Sequence, residues 1–178
     1  MKNANAMFSL VDDDGKDVEE GQPGEVLVKG PMVTKGYFGN PQATKDSFVD
    51  GWFCTGDVAV WKNELPYIVD RKKELIKYKG IQVAPAELEA LLLTHPKILD
   101  VAVIGVDVPG TEVPRAYVVT DGSVSEQEIK DFVKSHVADY KQLRGGVVFM
   151  DVIPKSPSGK ILRKDLRELA KKGPQAKL

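Results

Sequence analysis

Four short apolar segments, each followed by polar or turn-forming residues, mark the first 70 residues of the chain. The first segment ends just before Asp14-Gly15, and the second ends just before Gly30-Pro31. Between residues 25 and 29 polar and apolar side chains alternate, which is typical of a strand with one exposed face. Short apolar segments separated by turn signals predict β structure. The four segments are 8–11, 26–28, 58–61 and 67–69.

The pattern changes after residue 84, where helical and extended signals alternate. Pro85 suits the first turn of a helix, because its missing N–H would have no partner there. The helix predicted over 87–93 ends before His95-Pro96. Ser125 and Glu128 have capping-box spacing. Behind them apolar positions recur with a helical period, at Ile129, Phe132, Val133, His136 and Val137.

Three strands and a last helix complete the second part. We expect strands over 98–106, 116–119 and 147–152, and a helix whose inner positions are Leu162, Leu166, Leu169 and Ala170. The resulting order is helix, strand, strand, helix, strand, helix, which predicts an α+β fold with a small mixed sheet. Asp70-Arg71-Lys72-Lys73-Glu74 separates the two parts, since five consecutive charges suit an exposed connector.

Composition removes several classes of function. The chain has 178 residues, and 25 basic against 26 acidic residues give a net charge of −1, which argues against a nucleic-acid binder. One cysteine and two histidines argue against a disulfide framework and against a zinc site. No apolar segment is long enough to span a membrane, and the start lacks the apolar core of a signal peptide. We therefore expect an intracellular domain that acts on a small molecule or a protein.

Thr55-Gly56-Asp57 is the first segment that could carry chemistry. A carboxylate after a Thr-Gly turn offers two acceptor oxygens, which suit the two hydroxyls of a ribose. The competing interpretation is a turn aspartate that caps its own backbone, and for this segment alone it is the more common case.

A second segment runs from Asp70 to Gly80 and combines one guanidinium with several ammonium groups. Such cations could hold phosphates or sugar hydroxyls, whereas the ordinary interpretation is a solvated charged segment. Gly80 favours the first interpretation, because a glycine beside cations lets a ligand approach the backbone closely.

The third segment is Pro154-Lys155-Ser156-Pro157-Ser158-Gly159-Lys160. Proline, serine and glycine predict an exposed, mobile loop with Lys160 at its last position. An ammonium group on such a loop could neutralise charge that develops on a phosphoryl or carboxyl oxygen. The spacing of a phosphate-binding P-loop is absent, and a solvated lysine in an ordinary turn remains the alternative.

The last three residues are Ala176-Lys177-Leu178. They form a conservative variant of the Ser-Lys-Leu peroxisomal address. If a peroxisomal import receptor reads them, the protein is peroxisomal; otherwise we expect it in the cytoplasm.

Taken together and in order, these segments resemble the carboxy-terminal third of the adenylate-forming (AMP-binding) enzymes. The resemblance is strongest to 4-coumarate–CoA ligases and peroxisomal acyl-CoA ligases, and beetle luciferases are also similar. The matching segments are Gly24-Glu25-Val26 with Gly30 and Gly36-Tyr37, Thr55-Gly56-Asp57, Asp70-Arg71-x-Lys73-Glu74-x-Ile76-Lys77-x-x-Gly80-x-Gln82-Val83, Pro85-Ala86-Glu87-Leu88-Glu89 and Ser158-Gly159-Lys160.

The resemblance implies an ATP-dependent acid–CoA ligase. An aryl or fatty acid reacts with ATP to give an acyl-adenylate and pyrophosphate, and coenzyme A then displaces AMP to give a thioester. By position, Asp57 would hold the ribose hydroxyls with help from Arg71. Lys160 would be the catalytic lysine, bridging the carboxylate of the acid and the α-phosphate.

By the same resemblance, residues in and just after the segment from Asp70 to Gly80 act in the second step. Lys73 would be the pivot about which a small lid domain rotates between the two steps. Lys77 and Gln82 would contact the adenylate, and Lys79-Gly80 would line the entry of coenzyme A. A rotating lid suits this chemistry, because both steps need a closed, dry site but different attacking groups.

The resemblance also predicts how the chain divides into domains, and it leaves alternative functions open. Residues 1–70 would be the β-rich end of the large AMP-binding domain, 71–73 the hinge and 74–178 the mobile lid. The phosphate loop, the adenine and acyl pockets and most ligands of Mg²⁺ are not found in this sequence, so we expect a fragment that is inactive without an N-terminal domain. A luciferase-like oxygenase acting on an adenylate and a non-catalytic module that binds AMP or a partner remain alternatives.

Overall fold

The computed structural model describes residues 6–172. The chain divides into two compact units between Lys73 and Glu74. This division falls inside the charged segment 70–74. The described residues contain no helix long and apolar enough to cross a bilayer.

Within residues 6–73 the first unit contains an antiparallel sheet of five strands. The four apolar segments predicted β structure here and lie in four of these strands, whereas the short strand Phe48–Val49 was not predicted. The longest strand, β4 (Trp52–Lys62), pairs along one edge with β2 (Pro23–Lys29). Its other edge pairs near opposite ends with β3 (Phe48–Val49) and β5 (Leu65–Arg71). Asn63 and Glu64 join β4 to β5 in a tight turn, and both have positive φ (52° and 61°). The elements are β1 (Met7–Val11), β2 (Pro23–Lys29), α1 (Pro41–Asp46), β3 (Phe48–Val49), β4 (Trp52–Lys62) and β5 (Leu65–Arg71).

The core of the first unit is small. Leu10, Val26 and Ala59 are its fully buried centre. By contrast, Ile68 on β5 is 61% exposed and Phe38 is fully exposed. The first unit therefore presents apolar surface that its own residues do not cover.

Within residues 74–172 the second unit contains a three-stranded sheet, a separate two-stranded hairpin and three helices. In the larger sheet β9 (Thr111–Thr120) lies between β8 (Ile98–Val108) and β10 (Val147–Phe149), antiparallel to the first and parallel to the second. Turns of 3₁₀ helix occur at Lys72–Glu74, across the division, and at Asp139–Lys141. The elements are β6 (Ile76–Tyr78), β7 (Ile81–Val83), α2 (Pro85–Leu92), β8 (Ile98–Val108), β9 (Thr111–Thr120), α3 (Glu126–His136), β10 (Val147–Phe149) and α4 (Arg163–Lys171).

Both faces of the larger sheet are buried, because successive side chains of a strand point to opposite faces. Val101 and Val103 of β8 pack in one cluster with residues of α2 and α3. Ala102 and Ile104 pack in a second cluster with Leu166 of α4. The prediction of an α+β fold with a small mixed sheet flanked by helices is confirmed.

Local signals explain where several of these elements begin. Pro85 is the first residue of α2, as predicted. Ser125 caps α3, since its Oγ accepts a hydrogen bond from the N–H of Glu128. The Glu128 carboxylate pairs with Lys97 at 3.1 Å. His136 is exposed and its ring packs on Phe132, so it lies at the edge of the helix–sheet core.

One expectation about strands was wrong, and one pair of strands was missed. The strand predicted over 147–152 ends at Phe149, because the chain leaves the sheet there and Val152 becomes 70% exposed. The β6–β7 hairpin was not predicted, because strands of three residues show too little alternation to be recognised.

Candidate functional site

Thr55-Gly56-Asp57 lies inside strand β4, not in the turn that the sequence suggested. Leu27 of β2 pairs with Cys54, and Glu25 pairs with Val58, so a step of two residues along β2 faces a step of four along β4. The extra residues form a β-bulge, in which the glycine has φ +71°. A glycine is favoured there because a side chain would strain this backbone conformation.

Hydrogen bonds to the neighbouring strand fix the bulge. The Thr55 hydroxyl donates to the carbonyl of Val26 (2.8 Å) and accepts from the N–H of Asp57 (3.0 Å). The N–H of Gly56 donates to Oε1 of Glu25 (3.3 Å). The bulge therefore sets the position of the Asp57 side chain through several contacts.

Asp57 of β4 and Arg71 of β5 form an ion pair. Nε of Arg71 lies 2.8 Å from Oδ1 of Asp57, and the two residues are direct partners in the sheet register. The Asp57 side chain is 33% exposed, and its Oδ2 has no hydrogen-bond partner among residues 6–172. One carboxylate oxygen is thus oriented by Arg71 and the other is open to a ligand.

A second ion cluster beneath the bulge was missed from the sequence. Lys72 Nζ lies 3.0 Å from Glu25 and 2.9 Å from Asp13. These partners raise the pKa of Lys72, first through Asp13 and then through Glu25, although partial burial opposes the shift. Burial, with a contribution from Glu25, raises the pKa of the Cys54 thiol. The signal that could have revealed this cluster is Glu25, a carboxylate within a predicted strand. A nearly buried charge needs a partner, so a cation should have been expected beside it.

Lys73, the predicted pivot, is the last residue of the first unit and lies in the 3₁₀ turn. Its side chain is exposed. The next residue, Glu74, is tied to Arg167 of α4 by an ion pair. Rotation about Lys73 stays a prediction.

The β6–β7 hairpin brings Lys77 and Gln82 together. They are direct cross-strand partners, so their side chains lie on the same face. The neighbouring pair, Ile76 and Val83, is fully buried on the opposite face. Lys77 and Gln82 are therefore exposed side by side.

Lys79 and Gly80 form the turn of the same hairpin. Both have positive φ (47° and 83°), as a two-residue type I′ turn requires. The turn is exposed, and nothing lies within 4 Å of the position that a Gly80 side chain would occupy. The four residues predicted for the adenylate and for coenzyme A thus share one hairpin.

Two residues at the start of β9 hold this hairpin. The N–H of Lys77 donates to Glu112 Oε2 (2.8 Å), and the N–H of Lys79 donates to Thr111 Oγ1 (2.7 Å). The Thr111 hydroxyl in turn donates to the carbonyl of Lys77 (2.8 Å). Sequence reasoning missed Thr111 and Glu112, because they lie more than 30 residues from Lys77 and Lys79, which they bind.

Lys160 closes a small turned loop on the surface of the second unit. Lys155 and Ile161 form an antiparallel bridge at its base. Within it the N–H of Ser156 donates to the carbonyl of Lys160 (2.8 Å), and that of Gly159 to Ser156 (2.9 Å). Lys160 is exposed, and its ammonium group makes no ion pair or hydrogen bond with the described part of the chain. The loop is exposed as predicted and is closed by its own hydrogen bonds.

The remaining predictions concern metals and targeting. Residues 6–172 contain no group of three or more His, Cys, Asp or Glu placed to hold a metal ion. The predicted peroxisomal signal, Ala176-Lys177-Leu178, lies outside the described residues.

Comparisons with known proteins support the sequence resemblance. Residues 87–160, which end at Lys160, match the family model of the AMP-binding enzyme C-terminal domain. The chain is 58% identical over 182 aligned positions to a protein of Emericella nidulans named as an acyl-coenzyme A synthetase, covering 98% of this chain and 33% of that protein. It is 50% identical to 4-coumarate–CoA ligase 1 of rice, covering 92% of this chain and 30% of the ligase.

A solved structure gives the same result for the fold. The o-succinylbenzoate CoA synthetase of Bacillus subtilis, crystallised with its acyl-adenylate intermediate, superposes with a TM-score of 0.81 at 36% identity, covering 92% of this chain and 34% of that one. The chain therefore spans about a third of the length of the proteins it matches.

Proposed function

This chain belongs to the adenylate-forming enzymes, whose C-terminal domain it contains, and on this premise we propose that it is the C-terminal third of an ATP-dependent acid–CoA ligase. The substrate class is an aryl or fatty carboxylic acid. The products are the acyl-CoA thioester, AMP and pyrophosphate. The rest of the enzyme would be an N-terminal domain that precedes this chain.

The observation that carries the proposal is the Asp57–Arg71 pair on the β4 bulge. A ribose presents two adjacent hydroxyl donors, and the open Oδ2 of Asp57 is a charged acceptor for one of them. Nε of Arg71 lies 2.8 Å from Oδ1, and this ion pair favours one orientation of the carboxylate. The arrangement fits the sugar of ATP, of AMP and of an acyl-adenylate equally well, so one contact can serve both steps.

In the first step a carboxylate oxygen of the acid attacks the α-phosphorus of ATP. The bond from that phosphorus to pyrophosphate breaks, and an acyl-adenylate forms. Negative charge gathers on the phosphoryl oxygens in the transition state. The Lys160 ammonium, exposed and without a partner in the described residues, is the cation we assign to this charge.

In the second step the sulfur of coenzyme A attacks the acyl carbon, its proton leaves to water and the bond to AMP breaks. We assign the adenylate contacts to Lys77 and Gln82, and the entry of coenzyme A to the Lys79-Gly80 turn. The open space over Gly80 leaves room for a ligand to pass close to the backbone. A rotation about Lys73 would exchange the Lys160 loop for this hairpin between the steps.

Mg²⁺ accompanies ATP in chemistry of this kind and offsets phosphate charge. Because no carboxylate cluster that could hold a metal occurs in residues 6–172, we assign its protein ligands mainly to the N-terminal domain.

Acid-dependent exchange of pyrophosphate into ATP tests the proposal in the full-length parent protein. We expect exchange with at least one aryl or fatty acid, and release of AMP when coenzyme A is added. Failure with every acid would overturn the ligase assignment.

Binding of AMP to the 178-residue chain gives a second test. We expect a dissociation constant near or above about 1 mM, because only the ribose side of a nucleotide site is present. Sub-micromolar affinity would instead favour a self-sufficient binding module. Arg71→Met should weaken whatever binding is measured, and Lys45→Met is a control for lost surface charge.

We also propose that Ala176-Lys177-Leu178 directs the protein to peroxisomes through an import receptor. Deleting the three residues should move a fluorescently tagged protein to the cytoplasm. Unchanged localisation after the deletion would contradict this proposal and leave the ligase assignment intact.

A further inference from the structure

The Lys160 loop is flanked by two cations that both bind carboxylates of other elements. Lys155, at the start of the loop, lies with its Nζ 2.6 Å from Oδ2 of Asp100. Arg163, three residues after Lys160, donates from one terminal nitrogen to both carboxylate oxygens of Glu89, at 2.7 Å each. The loop is therefore fixed at both ends.

Both carboxylates lie along the free edge of strand β8. This strand ends the sheet, so alternate N–H groups on its outer edge have no strand partner. The N–H of Val101 donates to Oδ1 of Asp100 (3.0 Å), and the N–H of Val103 donates to Oε1 of Glu89 (2.8 Å). Each carboxylate thus joins one edge N–H to one cation that flanks Lys160.

The Glu89–Arg163 pair is the more buried of the two. The side chains are 12% and 17% exposed, whereas those of Asp100 and Lys155 are about a third exposed. Nε of Arg163 is buried and has no hydrogen-bond partner. A buried ion pair with an unsatisfied donor is a poor device for stability, since an apolar pair of equal volume avoids both desolvation costs. An apolar pair could not, however, hold Arg163 in a defined orientation on Glu89, as these hydrogen bonds do.

Other contacts tie the start of α4 to the loop segment and the body of α4 to the sheet. The N–H of Leu162 donates to the carbonyl of Pro154 (2.9 Å), and the Tyr117 hydroxyl of β9 donates to the carbonyl of Leu166 (3.3 Å). Leu166 itself is fully buried. These contacts anchor α4, and the ion pairs connect the anchored helix and sheet edge to the ends of the loop.

We propose that Asp100 and Glu89, acting through Lys155 and Arg163, are positioning residues that hold the Lys160 loop on the edge of β8 for the adenylation step. The inference rests on the proposed function, because it takes Lys160 as the catalytic lysine. Displacing a reacting group by about 1 Å can cost on the order of 100-fold in rate, so a shifted loop would impair adenylation without loss of the lysine itself.

The half-reactions of the full-length parent test this role. We expect Arg163→Met to slow adenylation about tenfold, and Arg163→Met with Lys155→Met to slow it about 100-fold. Thioester formation from supplied acyl-adenylate should fall less than about threefold, because it does not use Lys160. Arg163→Lys, which keeps the charge, should restore part of the adenylation rate.

Lys164→Met is the matched control. Lys164 follows Arg163 in α4, but its side chain is 87% exposed and lies 4.0 Å from Glu168. Both half-reactions should remain at the parent rate in this variant. An equal fall of both half-reactions in Arg163→Met, or no fall in either, would overturn the positioning role.

Amide hydrogen exchange of the 178-residue chain provides a readout that needs no activity. The N–H groups of Ser156 and Gly159, which close the loop, should exchange faster in the Lys155→Met, Arg163→Met double variant than in the unmutated chain. The N–H groups of Val118 and Ile129 in the core should be unaffected. Unchanged protection of the loop would refute the inference whatever acid the parent uses. Absence of adenylation in the unmutated parent would count against the proposed function only.

Discussion

The Lys160 loop and the β6–β7 hairpin both present exposed cations, but the second unit holds them by different contacts. Ion pairs of Lys155, at the start of the loop, and of Arg163, just after it, hold the loop in place, and its tip is closed by its own hydrogen bonds. The hairpin is gripped along its backbone, since Thr111 and Glu112 bind the main chain of Lys77 and Lys79.

The difference matches the task that each region is assigned. A single ammonium group that must meet charge on one phosphorus needs a firm anchor for one atom. A surface that contacts an adenylate and lets coenzyme A enter needs a fixed main chain from which exposed side chains can reach the ligand. The loop and the hairpin should therefore fail separately when their own supports are removed.

Removing the Lys160 ammonium should give the largest effect. We expect Lys160→Ala in the parent to slow adenylation by about 100-fold to 1,000-fold, as for the loss of one electrostatic stabiliser. Thioester formation from supplied adenylate should be nearly unchanged. Single-turnover measurement of each half-reaction checks this, and equal losses in both would refute the assignment of Lys160.

Removing the contacts that hold the hairpin should slow thioester formation and not adenylation, and the effect should be smaller than that of Lys160→Ala. Thr111→Val keeps the shape of the side chain but removes its bonds to Lys77 and Lys79, each worth about 1 kcal/mol. We expect thioester formation to fall about tenfold and adenylation to stay near the parent rate. Thr120→Val, at the other end of β9, is the control, and a matching fall in that variant would contradict the role of Thr111.

The two turn glycines offer a matched comparison of still smaller effects. Gly159 and Gly80 have nearly equal φ (80° and 83°), and at neither position does any atom lie within 4 Å of the point that a Cβ would occupy. Alanine at either position should cost about 1 kcal/mol of folding free energy through backbone strain alone, or about 3 °C in Tm. Asparagine, which tolerates this conformation, should cost less. Unequal costs in urea unfolding of the chain would show that one turn has contacts that this account lacks.

Lowering the pH should slightly reduce the folding stability of the second unit, because Glu126 becomes protonated. A hydrogen bond from Lys130, assisted by the N–H of Val147, lowers the pKa of this carboxyl. Because the folded pKa is the lower one, the stabilisation is present above about pH 4.3 and is lost as pH falls through the folded pKa. The pair is exposed, so we expect no more than about 0.5 kcal/mol. Glu126→Gln should remove this part of the pH dependence in urea unfolding at pH 3 to 7, and an unchanged profile would contradict it.

Local signals in the sequence located most elements of the second unit. The proline at the start of α2, the Ser125 cap and the helical period behind it all act over a few residues, so they can be recognised without the fold. The hairpin at 76–83 could not be recognised this way. Its strands are three residues long, and its burial depends on the distant strands β8 and β9.

The same distinction between local signals and long-range contacts applies to the candidate site. Motif order named Asp57, Arg71 and Lys160 as candidates, but a Thr-Gly-Asp sequence predicts a turn, and only pairing of β4 on both edges makes it a bulge. The supporting carboxylates were not found, because Glu25 lies 47 residues from Lys72 and Glu89 lies 74 residues from Arg163. Contacts of that range leave no periodic or local pattern in the sequence.

The most direct test of the central claim, that one small domain serves two steps through two regions, is a crossed measurement of both half-reactions in two variants of the parent. Lys160→Ala should lose adenylation and keep thioester formation, and Thr111→Val should keep adenylation and lose part of thioester formation. If both variants change the two half-reactions in the same proportion, the loop and the hairpin do not have separate roles and the account is wrong.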